Sequence, residues 1–176
     1  MNIEELKESL PDYAKDISLN LSTLFGNIDA TGLSKEQFYG SALSIAYSLK
    51  NKSLIEAIEY ESQDKGLQHL FFAAKTAGTL MAMNNIYYRA IHLAENKELS
   101  TMPANLRMSG LAKHGIPQVD FELFALAVSA INGCGLCISS HVKQLVTHSV
   151  ADKAIQSALR LAATLNAVAS VLELEQ

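Results

Sequence analysis

An all-α fold is predicted by three features of the sequence. Apolar residues recur at steps of three and four along most of its length, the period of a helix with one buried face. Side chains that cap helices, Ser34 with Gln37 above all, stand where these stretches begin. The 9 glycines and 3 prolines fall mostly at breaks, and no alternating apolar pattern competes with the helical period. A length of 176 residues suits a single domain over 1–176.

In order, Pro11 opens a first helix with Asp12 in its first turn, and Tyr13, Ile17, Leu21 and Leu24 form its stripe. Residues 26–32 are a connection. Ser34 and Gln37 make a capping box, with Leu33 and Phe38 as a staple, and that helix runs to about Leu49. Ser53 and Glu56 repeat the capping spacing and start a shorter helix that ends before Gly66. Leu67 to about Met83 is helical, with Ala73, Ala74, Ala77 and Gly78 small enough for close helix approach. Asn84-Asn85 breaks or kinks it, and helix resumes over Ile86 to Ala94. Pro103 opens the next helix and Gly115, reinforced by Pro117, closes it. Phe121 to Ile131 is strongly apolar, Asn132-Gly133 interrupts, and a helix starts near Cys134 or Gly135 and reaches about Leu145. Ser149 with Asp152 caps a last helix toward Leu174.

The chain also echoes itself. At a shift of 86 residues, Glu36–Tyr39 matches Glu122–Ala125 and Ser41–Ser44 overlies Ala127–Ala130. Ala77–Leu80 echoes Ala162–Leu165 at a shift of 85. The expectation is a degenerate internal duplication, a first half of about 34–94 as scaffold and a redox half of about 120–174. In the first half Ser48, Asn51 and Ile55 stand in the places of Cys134, Cys137 and His141.

Composition narrows the function. Formal net charge is -4, and Arg89, Arg107 and Arg160 are the only arginines, so no basic patch invites nucleic acid. No uninterrupted apolar run reaches membrane-spanning length. The start, Met1-Asn2-Ile3-Glu4-Glu5, carries no basic region followed by an apolar run, so a cytoplasmic protein is expected. Apolar residues make up 49% and charged residues 18%, which fits a chain that buries surface in a homo-oligomer.

The chemistry is concentrated in Asn132-Gly133-Cys134-Gly135-Leu136-Cys137-Ile138-Ser139-Ser140-His141, which holds both cysteines. In a reducing compartment that spacing favours redox or metal chemistry. Residues three apart share a helical face, a disulfide can close across them, and a helix N-terminus favours the thiolate, the attacking species. His141, one turn after Cys137, is placed to take its proton or to stabilise its thiolate. Glu122 interrupts Phe121, Leu123 and Phe124, a costly place for a carboxylate unless it is paired or protonated. There it can orient His141 or pass protons.

Other readings stay open on these residues alone. The cysteines can be small buried hydrophobes, or metal ligands with His141 and either His148 or Glu122. Glu122 can be an ordinary first-turn residue. His114 sits where a helix C-terminus favours histidine, and His69, His92 and His148 have no marked company. Met81, Met83, Met102 and Met108 read as packing. The tract Asn84-Asn85-Ile86-Tyr87-Tyr88-Arg89 either lines a site or subunit contact or decorates a helix junction.

The sequence resembles the alkyl hydroperoxidase D (AhpD) family of the carboxymuconolactone decarboxylase-like superfamily. Phe121-Glu122, the run Ala127–Cys134, Cys137 and His141 carry the likeness, with Asn84–Arg89 and Leu106-Arg107-Met108 in support. The resemblance implies an AhpD-like all-helical fold with a duplicated unit, commonly a homotrimer. It implies a lipoyl-dependent alkyl hydroperoxide reductase with no tightly bound cofactor. Dihydrolipoamide is the reducing cosubstrate, delivered by a lipoylated dihydrolipoamide acyltransferase and ultimately by dihydrolipoamide dehydrogenase. An AhpC-type peroxiredoxin is the implied client, beside direct reduction of alkyl hydroperoxide. Carried over, Cys137 is peroxidatic, Cys134 is resolving and gives a proton, and Glu122 and His141 are the proton relay. The family's best-studied pattern has a histidine just before the second cysteine, where this chain has Leu136. A relay without it is shorter or uses water, and direct peroxide reduction is slower while disulfide transfer survives. A general dithiol–disulfide oxidoreductase with little direct peroxidase activity is therefore the alternative. A decarboxylase-like enzyme would leave the cysteine pair unused.

Overall fold

Capping side chains decide where most of the helices begin. In the computed structural model, residues 1–175 are described. Among them are nine α-helices, four short 3-10 turns and no strand. The first helix, α1 (Ile3–Glu8), is one the apolar period does not reveal. Asn2 accepts from the Glu5 N–H, and Glu5 reaches back to the Asn2 N–H. Pro11 precedes a 3-10 turn (Asp12–Ala14) rather than opening the helix proper, and α2 spans Lys15–Gly26. Tyr13 falls in that turn and is exposed, whereas Leu21 and Leu24 face the core.

The box of Ser34 and Gln37 opens α3 (Lys35–Leu49) as expected. The next start differs from expectation. Asn51, not Ser53, caps α4 (Lys52–Asp64), accepting from the Leu54 N–H at 3.0 Å. It stands two residues earlier, directly after Lys50, the residue that stops α3, so the cap position is taken before Ser53 is reached. Gly66, at φ +71, closes α4. The Gly66 N–H donates to the Gln63 carbonyl and the Leu67 N–H to the Ser62 carbonyl, the paired bonds of a left-handed helix stop.

A single helix, α5 (Phe71–Leu93), runs through Asn84-Asn85 without a break. The Asn85 carboxamide bonds to other side chains, Ser129 and Asn132, so it does not compete for backbone groups. The short α6 (Lys97–Thr101) is capped by Asn96. Pro103 follows this helix instead of opening one. Met102 before it is extended (φ -75, ψ 141), as the residue preceding a proline prefers. Gly115 (φ +78) therefore closes no helix; a 3-10 turn at Ser109–Ala112 comes before it.

The last three helices are α7 (Gln118–Ile131), α8 (Gly135–Thr147) and α9 (Asp152–Leu174). Ser149 does not cap α9. It adopts φ +60 as the left-handed residue that stops α8, with the Val150 N–H on the Leu145 carbonyl. Its position is used before α9 begins.

The core is built on α3 and α7, which pack against each other and are flanked by α5 and α9. Phe38, Tyr39, Phe121 and Phe124 are among the largest fully buried side chains. Gly40 permits the closest approach: a Cβ there would lie 1.8 Å from Cζ of Phe124. Gly78 also faces α3 from α5, but a Cβ there would fit at ordinary contact distance, 3.4 Å from the Ser44 carbonyl oxygen. By length and composition α9 is apolar enough to cross a membrane, but 56% of that stretch is buried against the other helices. This frame holds α7 and α8 as neighbours around one turn.

Candidate active site

The turn between α7 and α8 does two jobs at once. Gly133, at φ +64, ends α7, with its N–H on the Ala130 carbonyl and the Cys134 N–H on the Ser129 carbonyl. The next residue is the cap of α8: Cys134 Sγ accepts from the Cys137 N–H at 3.3 Å. Stopping one helix and starting the next within three residues fixes the first cysteine at the N-terminus of α8. The side of α5 reinforces this turn. Asn85 donates to Ser129 Oγ at 2.9 Å, Asn132 donates to Asn85 Oδ1 at 3.0 Å, and Arg89 donates to the Asn132 carbonyl. Asn85 and Arg89 of the unusual tract thus brace the cysteine turn, while Asn84 and Tyr88 from the same tract line a cavity.

Cys134 and Cys137 are joined as a disulfide, with Cα atoms 5.2 Å apart, within the usual range for such a bridge. The two sulfurs differ in access. Cys134 is 0% exposed, whereas Cys137 is 8% exposed and lines a cavity of about 420 Å³. The same cavity is lined by Glu122 of α7 and by His141, one turn beyond Cys137 on α8. Glu122 Oε2 accepts from His141 Nδ1 at 2.7 Å. Of the sequence-derived set, Cys137, His141 and Glu122 therefore meet around one wall, and Cys134 is sealed behind it, joined to Cys137 by the disulfide. Among the described residues no group of three or more His, Cys, Asp or Glu side chains is placed to hold a metal ion.

Glu122 makes a second bond that sequence reasoning missed. Gln118 Nε2 donates to Glu122 Oε1 at 3.0 Å, and His114 Nε2 meets Gln118 Oε1 at 2.9 Å. His114 is 5% exposed and stacks on Phe121, ring centroids 4.1 Å apart. The step of four from Gln118 to Glu122 is the signal that could have found this partner. His114 precedes the helix, so no helical spacing points to it. Burial pushes the Glu122 carboxyl up. Hydrogen bonds from His141 and Gln118, with the charges of His141 and His148, outweigh that and hold it below its ordinary 4.5.

Leu136 is 48% exposed at the first turn of α8. With Tyr88 it lines both this cavity and a neighbouring one of about 600 Å³. A disulfide with one reachable sulfur can be opened there by an incoming thiolate. A carboxylate-bound imidazole beside it can carry protons.

Known proteins are similar over the whole chain. The model of the carboxymuconolactone decarboxylase family matches residues 97–174. A protein of Maricaulis maris named alkyl hydroperoxide reductase AhpD is 46% identical over 175 residues, which is 99% of each chain. One of the same name from Rhodopseudomonas palustris is 49% identical over 173 residues, 98% of this chain and 94% of that one. Another, from Hyphomonas neptunium, is 46% identical over 175 residues, 99% of this chain and 96% of that one. With that likeness spanning the cysteine turn and every helix around it, the chain belongs to the alkyl hydroperoxide reductase AhpD family, within the carboxymuconolactone decarboxylase-like superfamily.

Proposed function

We propose that the protein reduces alkyl hydroperoxides through a dithiol–disulfide cycle of Cys134 and Cys137 and takes its electrons from a dihydrolipoyl group. The observation that carries this reading is the asymmetry of the disulfide. One sulfur is sealed, and the other lines a cavity that also holds a hydrogen-bonded Glu122–His141 pair.

In the reduced enzyme His141 Nε2 takes the Cys137 proton, while Glu122 holds the imidazole through Nδ1. The Cys137 thiolate attacks the terminal oxygen of the hydroperoxide. The O–O bond breaks, sulfur is oxidised to sulfenic acid, and the alkoxide leaves as the alcohol with a proton from the relay. Cys134 then attacks the Cys137 sulfur, water leaves, and the disulfide forms. A dihydrolipoyl thiolate opens that disulfide at the reachable Cys137 sulfur. Its second thiol completes the exchange, so the lipoyl group ends as a disulfide and the enzyme as a dithiol.

In this reading the lipoyl arm belongs to a lipoylated dihydrolipoamide acyltransferase recharged by dihydrolipoamide dehydrogenase. An AhpC-type peroxiredoxin is a client of the same dithiol. The setting is the reducing cytoplasm and the assembly a homotrimer. A second reading, a general dithiol oxidoreductase with slow peroxide turnover, holds if the relay needs a proton carrier at position 136, where this chain has Leu136.

The test is peroxide-dependent oxidation of dihydrolipoamide by the wild type, Cys137→Ser and Cys134→Ser, beside a dithiothreitol control. The wild type turns over with dihydrolipoamide. Cys137→Ser loses sulfenic acid trapping, and Cys134→Ser keeps it. Disulfide exchange without peroxide turnover selects the second reading, and trapping at Cys134 reverses the roles of the cysteines.

A further inference from the structure

The hydrogen bonds at Glu122 have a direction, and it starts at a residue outside the cavity. The Ile116 N–H points to His114 Nδ1 at 3.4 Å, so that nitrogen bears the lone pair and the proton sits on Nε2. His114 Nε2–H then donates to Gln118 Oε1, which turns the Gln118 amide nitrogen toward Glu122. Glu122 in turn accepts from His141 Nδ1. Every donor in the series His114, Gln118, Glu122 is aimed at the carboxylate. An opposite amide orientation would set the Gln118 oxygen against the Glu122 oxygen.

We propose that His114 and Gln118 are a positioning pair that fixes Glu122 as the acceptor for His141, so that His141 keeps its proton on Nδ1 and Nε2 stays the basic nitrogen. This rests on the assignment of Glu122 and His141 to the proton relay.

The division of labour follows from burial. Gln118 is exposed in the first turn of α7, where a free glutamine samples many rotamers and its amide flips. His114 is buried and stacked on Phe121, one residue before Glu122, and is therefore rigid. It lends that rigidity to the exposed amide. The other groups near the carboxylate do not duplicate this role. His141 lies on α8 and His148 directly follows its last residue, and Tyr88 of α5 shares the cavity. Asp120, two residues earlier on α7, is held by Gln37 of α3 at 2.8 Å.

Two variants separate positioning from simple packing. Gln118→Leu removes the donor, and His114→Phe keeps a stacked ring but loses its N–H. Glu122 is titrated by carboxyl 13C NMR in the oxidised full-length protein, and the His141 tautomer is read from its ring 15N shifts. In Gln118→Leu the Glu122 midpoint rises by about half a pH unit, because water replaces part of an exposed bond. His114→Phe moves it the same way by less, and His141 shows a mixture of tautomers in both. Gln118→Lys, which keeps a donor, restores a midpoint at or below the wild-type value. An unchanged midpoint with a pure Nδ1–H tautomer in folded Gln118→Leu and His114→Phe overturns the proposal. These readouts need neither peroxide nor thiol turnover, so an enzyme inactive toward peroxides would defeat the functional reading while leaving this one to stand or fall on the titration.

Discussion

Glu122→Gln is the substitution whose size the structure sets most closely. Two donors converge on the carboxylate: Gln118 on Oε1 at 3.0 Å and His141 on Oε2 at 2.7 Å. A carboxamide offers one oxygen and one NH2, so one of these donors must lose its acceptor. The Gln118 bond is exposed and water can take its place, whereas the His141 bond is part-buried. The oxygen therefore stays on His141 and the NH2 turns toward Gln118. His141 keeps its tautomer but loses an anionic partner. A hydrogen bond to a charged group is worth about 1.5–3 kcal/mol and a neutral one about 1 kcal/mol, so roughly 0.5–2 kcal/mol of imidazolium stabilisation disappears. If the imidazolium forms as Cys137 reacts, the rate falls roughly 2- to 30-fold. The assay is single-turnover oxidation of the pre-reduced enzyme by an alkyl hydroperoxide in a stopped-flow instrument. An unchanged rate refutes the coupling of Glu122 to His141 in the reaction. A loss beyond about a thousandfold refutes it from the other side, since a group that only supports the imidazole is not worth that much.

Gly40→Ala places a methyl 1.8 Å from Cζ of Phe124, where α3 meets α7. Overpacking of that kind costs about 1–3 kcal/mol and should lower Tm by roughly 2–12 °C; an unchanged Tm in a thermal scan would show that the two helices separate freely. The Glu122 carboxyl titrates below 4.5 in the folded chain, so the unfolded chain binds the proton first as pH falls. The stabilisation it gives is complete above about 4.5 and is lost as pH drops through the folded value. Denaturant unfolding of wild type and Glu122→Gln should converge on moving from pH 7 to pH 3, and a constant difference would contradict the assigned direction.

The fold was most legible where a local rule acts alone. Ser34 with Gln37 fixes the start of α3, and the Asn132-Gly133 interruption marks the junction of α7 and α8, because both devices use only neighbouring backbone. Sequence reasoning failed where two local rules compete for one position. Ser149 has a capping side chain, but its backbone is spent ending α8. Pro103 is able to start a helix, yet it follows one that Asn96 had begun. Asn84-Asn85 carries two residues that favour breaks, and the tertiary partners of Asn85 keep α5 whole. In the site, the cysteine pair and His141 are legible from spacing because they share α8. Glu122 is legible only as a carboxylate out of place among Phe121, Leu123 and Phe124. Its meeting with His141 crosses from α7 to α8 and needs the turn between them. His114 reads from the sequence as a residue near a helix end, because its stacking on Phe121 depends on an irregular segment that no period describes.

Leu136 raises the question of how protons move without a histidine beside the second cysteine. In the pattern this chain resembles, that histidine precedes the cysteine directly, and a bridge between carboxylate and thiol is the natural use for it. Here Glu122 and His141 already touch at 2.7 Å, and His141 lies one turn from Cys137 on the wall of the same cavity. A side chain at 136 has no gap to fill between Glu122 and His141. Successive helix positions differ by about 100°, and Leu136 accordingly turns outward, 48% exposed, between the two cavities. Its place suits a wall against the apolar part of a ligand more than a step in a proton path. A small alkyl hydroperoxide has little apolar body to meet that wall, so Leu136→His should then change its single-turnover rate by less than about threefold, under roughly 0.7 kcal/mol in activation free energy. A hundredfold gain would mean that the direct contact between Glu122 and His141 is not the path protons take.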